Sequence, residues 1–519
     1  AECLVGSEMC IRDRSMATRY LYLVFVALFA YLLFFSYTSE QKQSKEESLS
    51  KVSANYKDSE LIRNSVLIQN DSLEIYVDPA SGNVVSSSLK KYPLTKGADT
   101  GVRVFGKDVS AGFEFYLKTG FTGLTNEEYK VENKGDDFIV LSSGLVKKKI
   151  SIVNDYELLI KDDVVNQNSS PGRPYAAMYR TDERALDGDD GFISNSSFLG
   201  VAFNTEDDPY DSYRFRSIDS QEFKEQGGWV ALIQKYFMAA LIGGKDYYYT
   251  YFAREPANQN GLYSFGYSVD PLNGYLEYES FTHRVFVGPK TREDLLKRAP
   301  DLELAIDMGW FWFLAQPLSS LLNFINSFVG NWGVSIIILT ALIKILFWPL
   351  TGMGFRSMGK MRAITPELKS IQDRYKNDRQ KLSSEMMALY KREGVNPLGG
   401  CFPLLASFPF FIALFFVLRE SLELRHAPFA FWLTDLSAPD PFFVLPLVMA
   451  LLMFLTTKLN PTPPNADPTQ MMVMKFMPVG ISIIFIFFPS GLVLYSVANS
   501  GIQLIQQTLL YREVGGLKN

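Results

Sequence analysis

Long runs of apolar residues constrain this chain more than any other feature of its sequence. A helix that crosses the hydrocarbon core of a bilayer needs about 20 mainly apolar residues, because no water is present there to satisfy a free peptide group. Six segments of the 519 residues qualify, at 20–37, 332–350, 401–418, 441–457, 473–488 and 492–510. The sequence therefore predicts a membrane α-helical bundle with six transmembrane helices.

The first apolar run predicts an N-terminal transmembrane anchor over residues 16–38, because no small-residue cleavage site of a signal peptide follows it. Residues 1–15 fit nothing that comes after Met16, so they are expected to be a cloning or upstream-reading artefact.

Charge distribution predicts the orientation of the helices. The loop at 354–398 carries ten Lys and Arg residues against five acidic residues, and such a bias keeps a short loop in the cytoplasm. By alternation, both termini are expected in the cytoplasm, including a short tail at 512–519, and residues 38–331 and 419–440 are expected outside.

The large external segment reads as a β domain. Residues 39–64 are polar and lack periodicity, which is typical of a flexible linker. Between residues 65 and 290, short alternating runs separated by Gly, Asn and Asp predict an antiparallel β-sandwich. Its many aromatic residues suit core and cross-strand packing, and a peptide-binding cleft is the functional alternative.

Residues 291–330 predict an amphipathic helix that lies in the outer membrane interface. Its polarity argues against a seventh span. The apolar residues that recur at helical spacing are Trp310, Phe311, Phe313, Leu314, Leu318, Leu321, Leu322 and Ile325.

The basic loop at 354–398 predicts a cytoplasmic helical hairpin. Thr365 and Pro366 suit a helix start, with Thr365 as the N-cap. A second helix is expected from Asp378 to Gly394, with Met386, Met387, Leu389 and Tyr390 on its apolar side. The hairpin is either a solvated charged element that sets topology or a docking surface for the ribosome or targeting factors. The candidate docking residues are Arg356, Lys360, Arg362, Lys369, Arg374, Lys381, Lys391 and Arg392.

Lys344 is the basic residue inside the apolar run at 332–350. A cation in a span costs about 2.5–3.5 kcal/mol on insertion scales, so water or a partner must stabilise it. Thr340 and Thr351 lie four residues before it and seven after it, which predicts one shared helix face. Snorkelling of the ammonium to the cytoplasmic interface is the alternative.

A second polar stripe runs along the last apolar segment. Its members are spaced by three or four residues and are Ser496, Asn499, Ser500, Gln503, Gln506 and Gln507. Two spans with matching stripes predict a water-filled groove, open to the cytoplasm, that could hold an acidic client segment beside Lys344.

Composition excludes several classes of function. A net charge of −5 argues against binding of DNA or RNA, and two histidines far apart in sequence argue against a His-based metal site. No GxSxG, HExxH or Walker A string occurs, so we expect no enzyme, no catalytic residue and no cofactor. A secondary transporter of a small solute is the alternative function, although neither internal repeats nor interrupted helices are visible.

Four strings resemble a known family of membrane proteins. They are GGWVALIQKYF at 227–237, KREGVNPLGGCFPLL at 391–405, APFAFWLTDLSAPDPFFVLP at 427–446 and FMPVGISIIFIFFPSGLVLYSVAN at 476–499. Together they resemble the YidC/Oxa/Alb family of membrane protein insertases, in the Gram-negative form with a large periplasmic domain. The resemblance extends over about residues 16–511.

The resemblance implies a five-helix insertase core at 331–511 and a β-supersandwich periplasmic domain. It also implies a chaperone that binds nascent hydrophobic segments in a hydrophilic groove and releases them laterally into the cell inner membrane, alone or with the Sec translocon. The implied partners are nascent membrane proteins, SecYEG, SecDF, the ribosome, the signal recognition particle receptor and the lipid bilayer.

The same resemblance implies which residues line the groove. Lys344 stands where the family usually has Arg, and Thr340 matches a groove residue. Ser407 stands where some relatives have Gln, and Tyr495-Ser496 replaces a pair of tyrosines. Together with the second polar stripe, the expected groove residues are Thr340, Lys344, Ser407, Tyr495, Ser496, Asn499, Ser500 and Gln503.

Overall fold

The computed structural model describes residues 64–108, 113–124, 128–165, 172–181, 198–255, 262–270, 279–306, 308–309, 311–375, 378–395, 402–460 and 468–513. The chain divides into two compact units, with a boundary at residues 307 and 308. The predicted anchor at 16–38, nearly all of the linker at 39–64 and most of the tail at 512–519 lie outside the described residues.

The first unit is built from two antiparallel sheets. The described strands are β1 Val66–Gln69, β2 Leu73–Val77, β3 Val84–Pro93, β4 Gly101–Arg103, β5 Gly106–Asp108, β6 Phe113–Phe121, β7 Lys130–Lys134, β8 Phe138–Ser142, β9 Val146–Val153, β10 Glu157–Val164, β11 Pro174–Thr181, β12 Gly200–Asn204, β13 Asp211–Arg214, β14 Ser220–Gln226, β15 Trp229–Ile233, β16 Phe237–Ile242, β17 Tyr248–Arg254, β18 Leu262–Asp270 and β19 Ser280–Pro289. The predicted all-β domain is therefore confirmed.

Each sheet has a defined strand order within the described residues. The first runs β1-β2-β3-β6-β11-β18-β17-β14, with β4 paired to β3 and β5 paired to β6. The second runs β13-β12-β15-β16-β19-β10-β9-β8-β7. Strands such as β2 and β9 alternate buried and less buried residues, which is the pattern of a sheet with one face on the core.

Strands β15 and β16 are buried along their whole length. Their second face is covered by the segment after β19, which contains the short helix α1 (Arg292–Leu296). Trp229 in β15 donates from Nε1 to the carbonyl of Pro300 at 3.0 Å, and Leu295 and Leu302 are fully buried. The continuous apolar runs in β15 and β16 follow from this two-sided packing.

A polar cluster lies inside the β unit. Lys148 and Asp162, which are paired across β9 and β10, form an ion pair of 3.3 Å with both side chains buried. Lys148 also donates to the hydroxyl of Thr119 in β6 at 2.7 Å. His283 in β19 lies against Asp162 at 3.6 Å and bonds to the hydroxyl of Tyr267 in β18 at 3.0 Å. Because these strands belong to both sheets, the cluster joins the two layers.

The second unit is helical in its described part. Its helices are α2 Trp312–Val329, α3 Trp332–Leu346, α4 Trp348–Ala363, α5 Thr365–Arg374, α6 Arg379–Arg392, α7 Phe402–Glu420, α8 Val444–Leu459, α9 Pro468–Phe485 and α10 Ser490–Glu513. Helix α2 packs against α3 and α7, and α10 packs against α3, α4 and α8.

The predicted span at 332–350 is broken in the structure. Helix α3 ends at Leu346, α4 begins at Trp348, and the two axes differ by 69°. Pro349 lies at the start of α4, where its missing N–H and fixed φ are tolerated, whereas it would interrupt one continuous helix. The prediction that Thr351 shares a helix face with Lys344 is therefore wrong.

The lengths and hydropathies of the described helices can be compared with those that a membrane span requires. Among the described residues, no single helix is both long and apolar enough to cross a membrane, and the bent pair α3–α4 passes when its two helices are taken together. The six transmembrane helices therefore stay a prediction.

The basic hairpin consists of α5 and α6. Asp378, near which the second helix was expected to begin, caps α6 by accepting from the amide of Lys381 at 3.0 Å. Thr365 is not the N-cap of α5, because its hydroxyl donates back to the carbonyl of Met361 in α4 at 3.0 Å. The buried core of the hairpin includes Leu389, whereas Met387 is 54% exposed and does not belong to it.

Candidate functional site

The candidate site lies where α10 packs against α3 and α4. Helix α3 contributes Thr340 and Lys344, which are four residues apart and therefore share one helix face. Helix α10 contributes the predicted polar stripe, from Ser496 to Gln507. The contact between α3 and α10 places the two polar helices next to each other.

The hydroxyl of Thr340 in α3 and that of Ser496, the first member of the stripe in α10, are satisfied by their own helices. Thr340 donates to the carbonyl of Ile336 at 2.7 Å, and Ser496 donates to the carbonyl of Leu492 at 3.0 Å. Both side chains are buried. Each oxygen keeps lone pairs that can accept a further hydrogen bond.

Lys344 is half-buried near the end of α3. Within the described part of the chain its ammonium has neither a hydrogen-bond partner nor an ion-pair partner. A cation in this position is held only if water or a polar ligand reaches it, because an unpaired buried charge is costly. Lys344 can therefore bind water or a polar ligand at this position.

The middle of the α10 stripe provides further hydrogen-bonding groups. Asn499, Ser500 and Gln503 are all half-buried. Their amides and hydroxyl can both donate and accept, so they can bind water or the backbone of an extended client.

The C-terminal part of the stripe has a structural role. Gln506 is fully buried and donates to the hydroxyl of Thr351 in α4 at 2.7 Å. Gln507 is also buried and donates to Asn460 at 2.8 Å and to Tyr511 at 2.9 Å. The sequence identified both glutamines as polar stripe members but gave no signal for Thr351 and Asn460, which lie 155 and 47 residues away from their partners.

The two remaining predicted groove residues are placed differently. Tyr495 is buried in the apolar cluster of the helical unit, with its ring centroid 5.7 Å from that of Phe411 in α7. The side chain of Ser407, in α7, lies outside the described residues. Tyr495 therefore contacts the apolar wall of the bundle.

The predicted docking residues of the hairpin fall into two groups. Three have contacts within the chain: Arg356 with Glu513 at 3.3 Å, Arg362 with the carbonyl of Leu459 at 2.6 Å, and Arg392 with Glu367 at 2.6 Å. The others are exposed and are Lys360, Lys369, Arg374, Lys381 and Lys391. The exposed group gives the hairpin a basic surface.

Comparison with known proteins identifies the family. A family model described as "60Kd inner membrane protein" matches residues 324–516, and one described as "YidC periplasmic domain" matches residues 65–321. The second match contains every described strand of the all-β unit.

Similar proteins from three bacteria carry the name "Membrane protein insertase YidC". The protein of Hahella chejuensis is 37% identical over 485 residues, which cover 87% of this chain and 84% of that protein. That of Azotobacter vinelandii is 36% identical and covers 86% and 84%, and that of Pseudomonas putida is 37% identical and covers 88% and 85%.

A solved structure entitled "Active YidC insertase crystal structure with the first transmembrane domain resolved" covers 86% of this chain and 92% of its own, at 18% identity and a TM-score of 0.39. The chain belongs to the YidC family of membrane protein insertases.

Proposed function

We propose that this protein is a membrane protein insertase and chaperone whose client segments bind along a hydrated polar surface between α3 and α10. The observation that carries the proposal is Lys344, a half-buried cation without a partner among the described residues, on a helix that packs against α10, the helix that carries the polar stripe. The names of the relatives support the same function.

The binding mode follows from the chemistry of this surface. Thr340, Lys344, Asn499, Ser500 and Gln503 offer donors and acceptors to a polar client segment that would otherwise meet lipid. The ammonium of Lys344 attracts acidic side chains of the client. Tyr495 and Ser407 complete the proposed contact surface, and the client then leaves sideways into the bilayer.

The proposed topology follows the distribution of charge. Six spans in the cell inner membrane place both termini and the basic hairpin in the cytoplasm and the all-β unit in the periplasm. The helical core is proposed at 331–511, and α2 is proposed to lie in the outer interface. Its exposed aromatic residues, which include Trp312, Phe313 and Phe328, suit headgroup depth.

The proposed partners are nascent membrane proteins, the Sec translocon with SecYEG and SecDF, the ribosome and the signal recognition particle receptor. The exposed basic side chains of α5 and α6 support the last two, because ribosomal RNA and acidic protein surfaces attract such a patch. A transporter of a small solute is not favoured, since the relatives are named insertases.

Two substitutions of Lys344 test the proposal. Lys344→Ala is expected to reduce insertion of a two-span client with an acidic translocated segment, and Lys344→Arg, which keeps the charge, is expected to support it. Insertion is measured in cells depleted of the native protein. A client with a neutral translocated segment serves as the control and is expected to be affected much less.

Photo-crosslinking provides a direct readout of binding. A photoreactive residue at position 340, 407 or 495 is expected to crosslink to a nascent span, whereas one at the exposed Leu509 is not. Two results together would contradict the proposed surface. Lys344→Ala would insert acidic clients as well as the unchanged protein does, and no crosslink would form from these three positions.

A further inference from the structure

The loop between α7 and α8 ends in an exposed aromatic tip. Phe431 is 94% exposed, and its backbone lies in the left-handed region with φ of 53°. A bulky residue rarely adopts this conformation. The neighbouring Trp432 stacks on Phe431 with ring centroids 6.1 Å apart. Two unusual features thus coincide at one residue, a left-handed backbone and a fully exposed aromatic ring.

Backbone hydrogen bonds hold the tip in a closed turn. The amide of Phe429 donates to the carbonyl of Leu433 at 2.9 Å, and the amide of Leu433 donates to the carbonyl of Ala430 at 3.0 Å. Below this turn, the amide of Leu436 donates to the carbonyl of Ala427 at 3.0 Å. Phe431 therefore stands at the end of a narrow, hydrogen-bonded loop.

The base of the loop is fixed to the first turns of two helices. Asn331, the N-cap of α3, donates to the carbonyl of Phe429 at 2.9 Å. Ser490, at the start of α10, donates from its amide to the carbonyl of Ala438 at 2.7 Å and from its hydroxyl to the carbonyl of Asp435 at 2.9 Å. The tip is consequently at the end of the bundle where α3, α8 and α10 begin.

The carboxylates of the loop are turned away from solvent. Asp440 is buried and accepts from the indole of Trp432 at 3.0 Å and from the amides of Phe442 and Leu445 at 3.1 and 2.7 Å. Asp435 accepts from the amide and the ring of His426. The seven residues 427–433 contain no charged side chain. The tip therefore exposes apolar surface without charge.

This apolar surface continues onto α8. Leu447, Leu451 and Leu455 are exposed and follow one another at intervals of four residues, which places them along one face of α8, and Phe443, directly before the helix, is exposed as well. Helix α8 has 16 residues, or about 24 Å at 1.5 Å per residue, whereas a bilayer core is about 30 Å thick. The aromatic loop extends the apolar face beyond the first turn of the helix.

We propose that the loop at 425–443 is a rigid lipid anchor, in which Phe431, Phe442 and Phe443 enter the interface of the outer leaflet. The partner is the phospholipid bilayer, because the exposed face of α8 leads directly into the loop and the tip carries no charge. The anchor fixes the depth of α3, α8 and α10 in the membrane. The inference rests on the membrane placement proposed above.

Fluorescence quenching in proteoliposomes tests the anchor. In a full-length protein with Cys3, Cys10 and Cys401 replaced by Ser, single cysteines are introduced as Phe431→Cys, Leu451→Cys and Glu423→Cys and labelled with an environment-sensitive dye. Brominated phospholipids are expected to quench the dye at 431 and 451, and aqueous iodide is expected to quench it at 423.

The three positions separate failure of the anchor from failure of the membrane placement. If iodide quenches the dye at 431 as strongly as at 423 while 451 is quenched by lipid, the anchor is wrong and the placement stands. If 451 is quenched by iodide, the placement itself fails. Protection of 431 from both quenchers would show that another protein surface covers the tip, and this would overturn the proposal as well.

A variant that preserves the backbone tests the role of the ring. Phe431→Asn keeps a residue that tolerates the left-handed region and removes the apolar surface. In this background a dye at Phe442→Cys is expected to lose at least half of its quenching by brominated lipid. Unchanged quenching at 442 would show that Phe431 does not hold the loop in lipid.

Discussion

The amide nitrogen Nε2 of Gln506 donates to the hydroxyl oxygen of Thr351 at 2.7 Å, and both side chains are buried. The hydroxyl of Thr351 in turn donates to the carbonyl of Phe347 at 2.9 Å. Phe347 is the residue at which α3 ends and α4 begins. The chain of bonds therefore ties α10 to the break between α3 and α4 and stabilises the bend.

Thr351→Val should weaken this connection. The substitution leaves the Gln506 amide without its partner, and an unsatisfied buried polar group costs about 1–3 kcal/mol. Chemical denaturation in detergent would measure the loss. Thr508→Val on α10, whose hydroxyl donates to the carbonyl of Leu504 in its own helix, is the matched control and should cost less. A double variant with Gln506→Leu should recover part of the loss.

Asp440→Asn should loosen the loop before α8. The carboxylate accepts three hydrogen bonds, and an amide in its place lacks one of the two acceptor oxygens. We expect a loss of about 1–3 kcal/mol and faster hydrogen exchange at the amides of Phe442 and Leu445. Exchange rates like those of the unchanged protein would show that Asp440 does not protect the amides of Phe442 and Leu445. The exposed Glu423→Gln is the control.

The hairpin should depend on its core and little on its surface ion pair. Leu389 is 2% exposed, and removal of a buried leucine side chain costs about 2–5 kcal/mol. The ion pair between Arg392 and Glu367 is exposed, and such pairs contribute about 0–1 kcal/mol. In limited proteolysis, Leu389→Ala should therefore be cut between α5 and α6 faster than the unchanged protein. Arg392→Ala should be cut at the same rate as the unchanged protein. The reverse order would contradict this account.

His283 should make the β unit sensitive to acid. Burial lowers the pKa of His283 from its usual range, although the neighbouring Asp162 acts in the opposite direction. The unfolded chain, with an ordinary pKa of about 6.5, then binds a proton more readily than the folded protein. Stability is fully present above that pH and is lost as the pH falls below it, by up to about 1.4 kcal/mol per pH unit.

The unfolding temperature of the protein between pH 7.5 and 5 measures this dependence. His283→Asn removes the titrating ring, so its unfolding temperature should fall less steeply over the same range, even if it is lower at every pH. Identical slopes for the two proteins would show that His283 is not the source of the acid sensitivity.

Much of the fold was predictable because local patterns reflect it directly. The alternation of apolar and polar residues in segments such as LEIYV and VKKKISIV predicted strands with one buried face, and the structure confirms two antiparallel sheets. The side chain of Asp378 is a local signal for the start of α6, because it can accept a hydrogen bond from an amide of the first turn. These signals depend on residues that are close in sequence.

Contacts between distant segments were not predictable from one sequence. The bond from Gln506 to Thr351 joins residues 155 positions apart, and the cluster around Lys148 brings together residues of five strands. Pro349 gave a local signal for the break after α3, but the long apolar run concealed it. Thr365 looked like an N-cap because α4 was not expected to run so close to α5.

Solvent labelling of the surface between α3 and α10 is the most direct test of the account. Single cysteines at 344, 499 and 503 are exposed in proteoliposomes to a water-soluble maleimide on the hairpin side, with Leu447→Cys on the exposed face of α8 as the control. The account predicts fast labelling at the first three positions and slow labelling at 447. Labelling at 344, 499 and 503 that is as slow as at 447 would contradict a hydrated surface for clients.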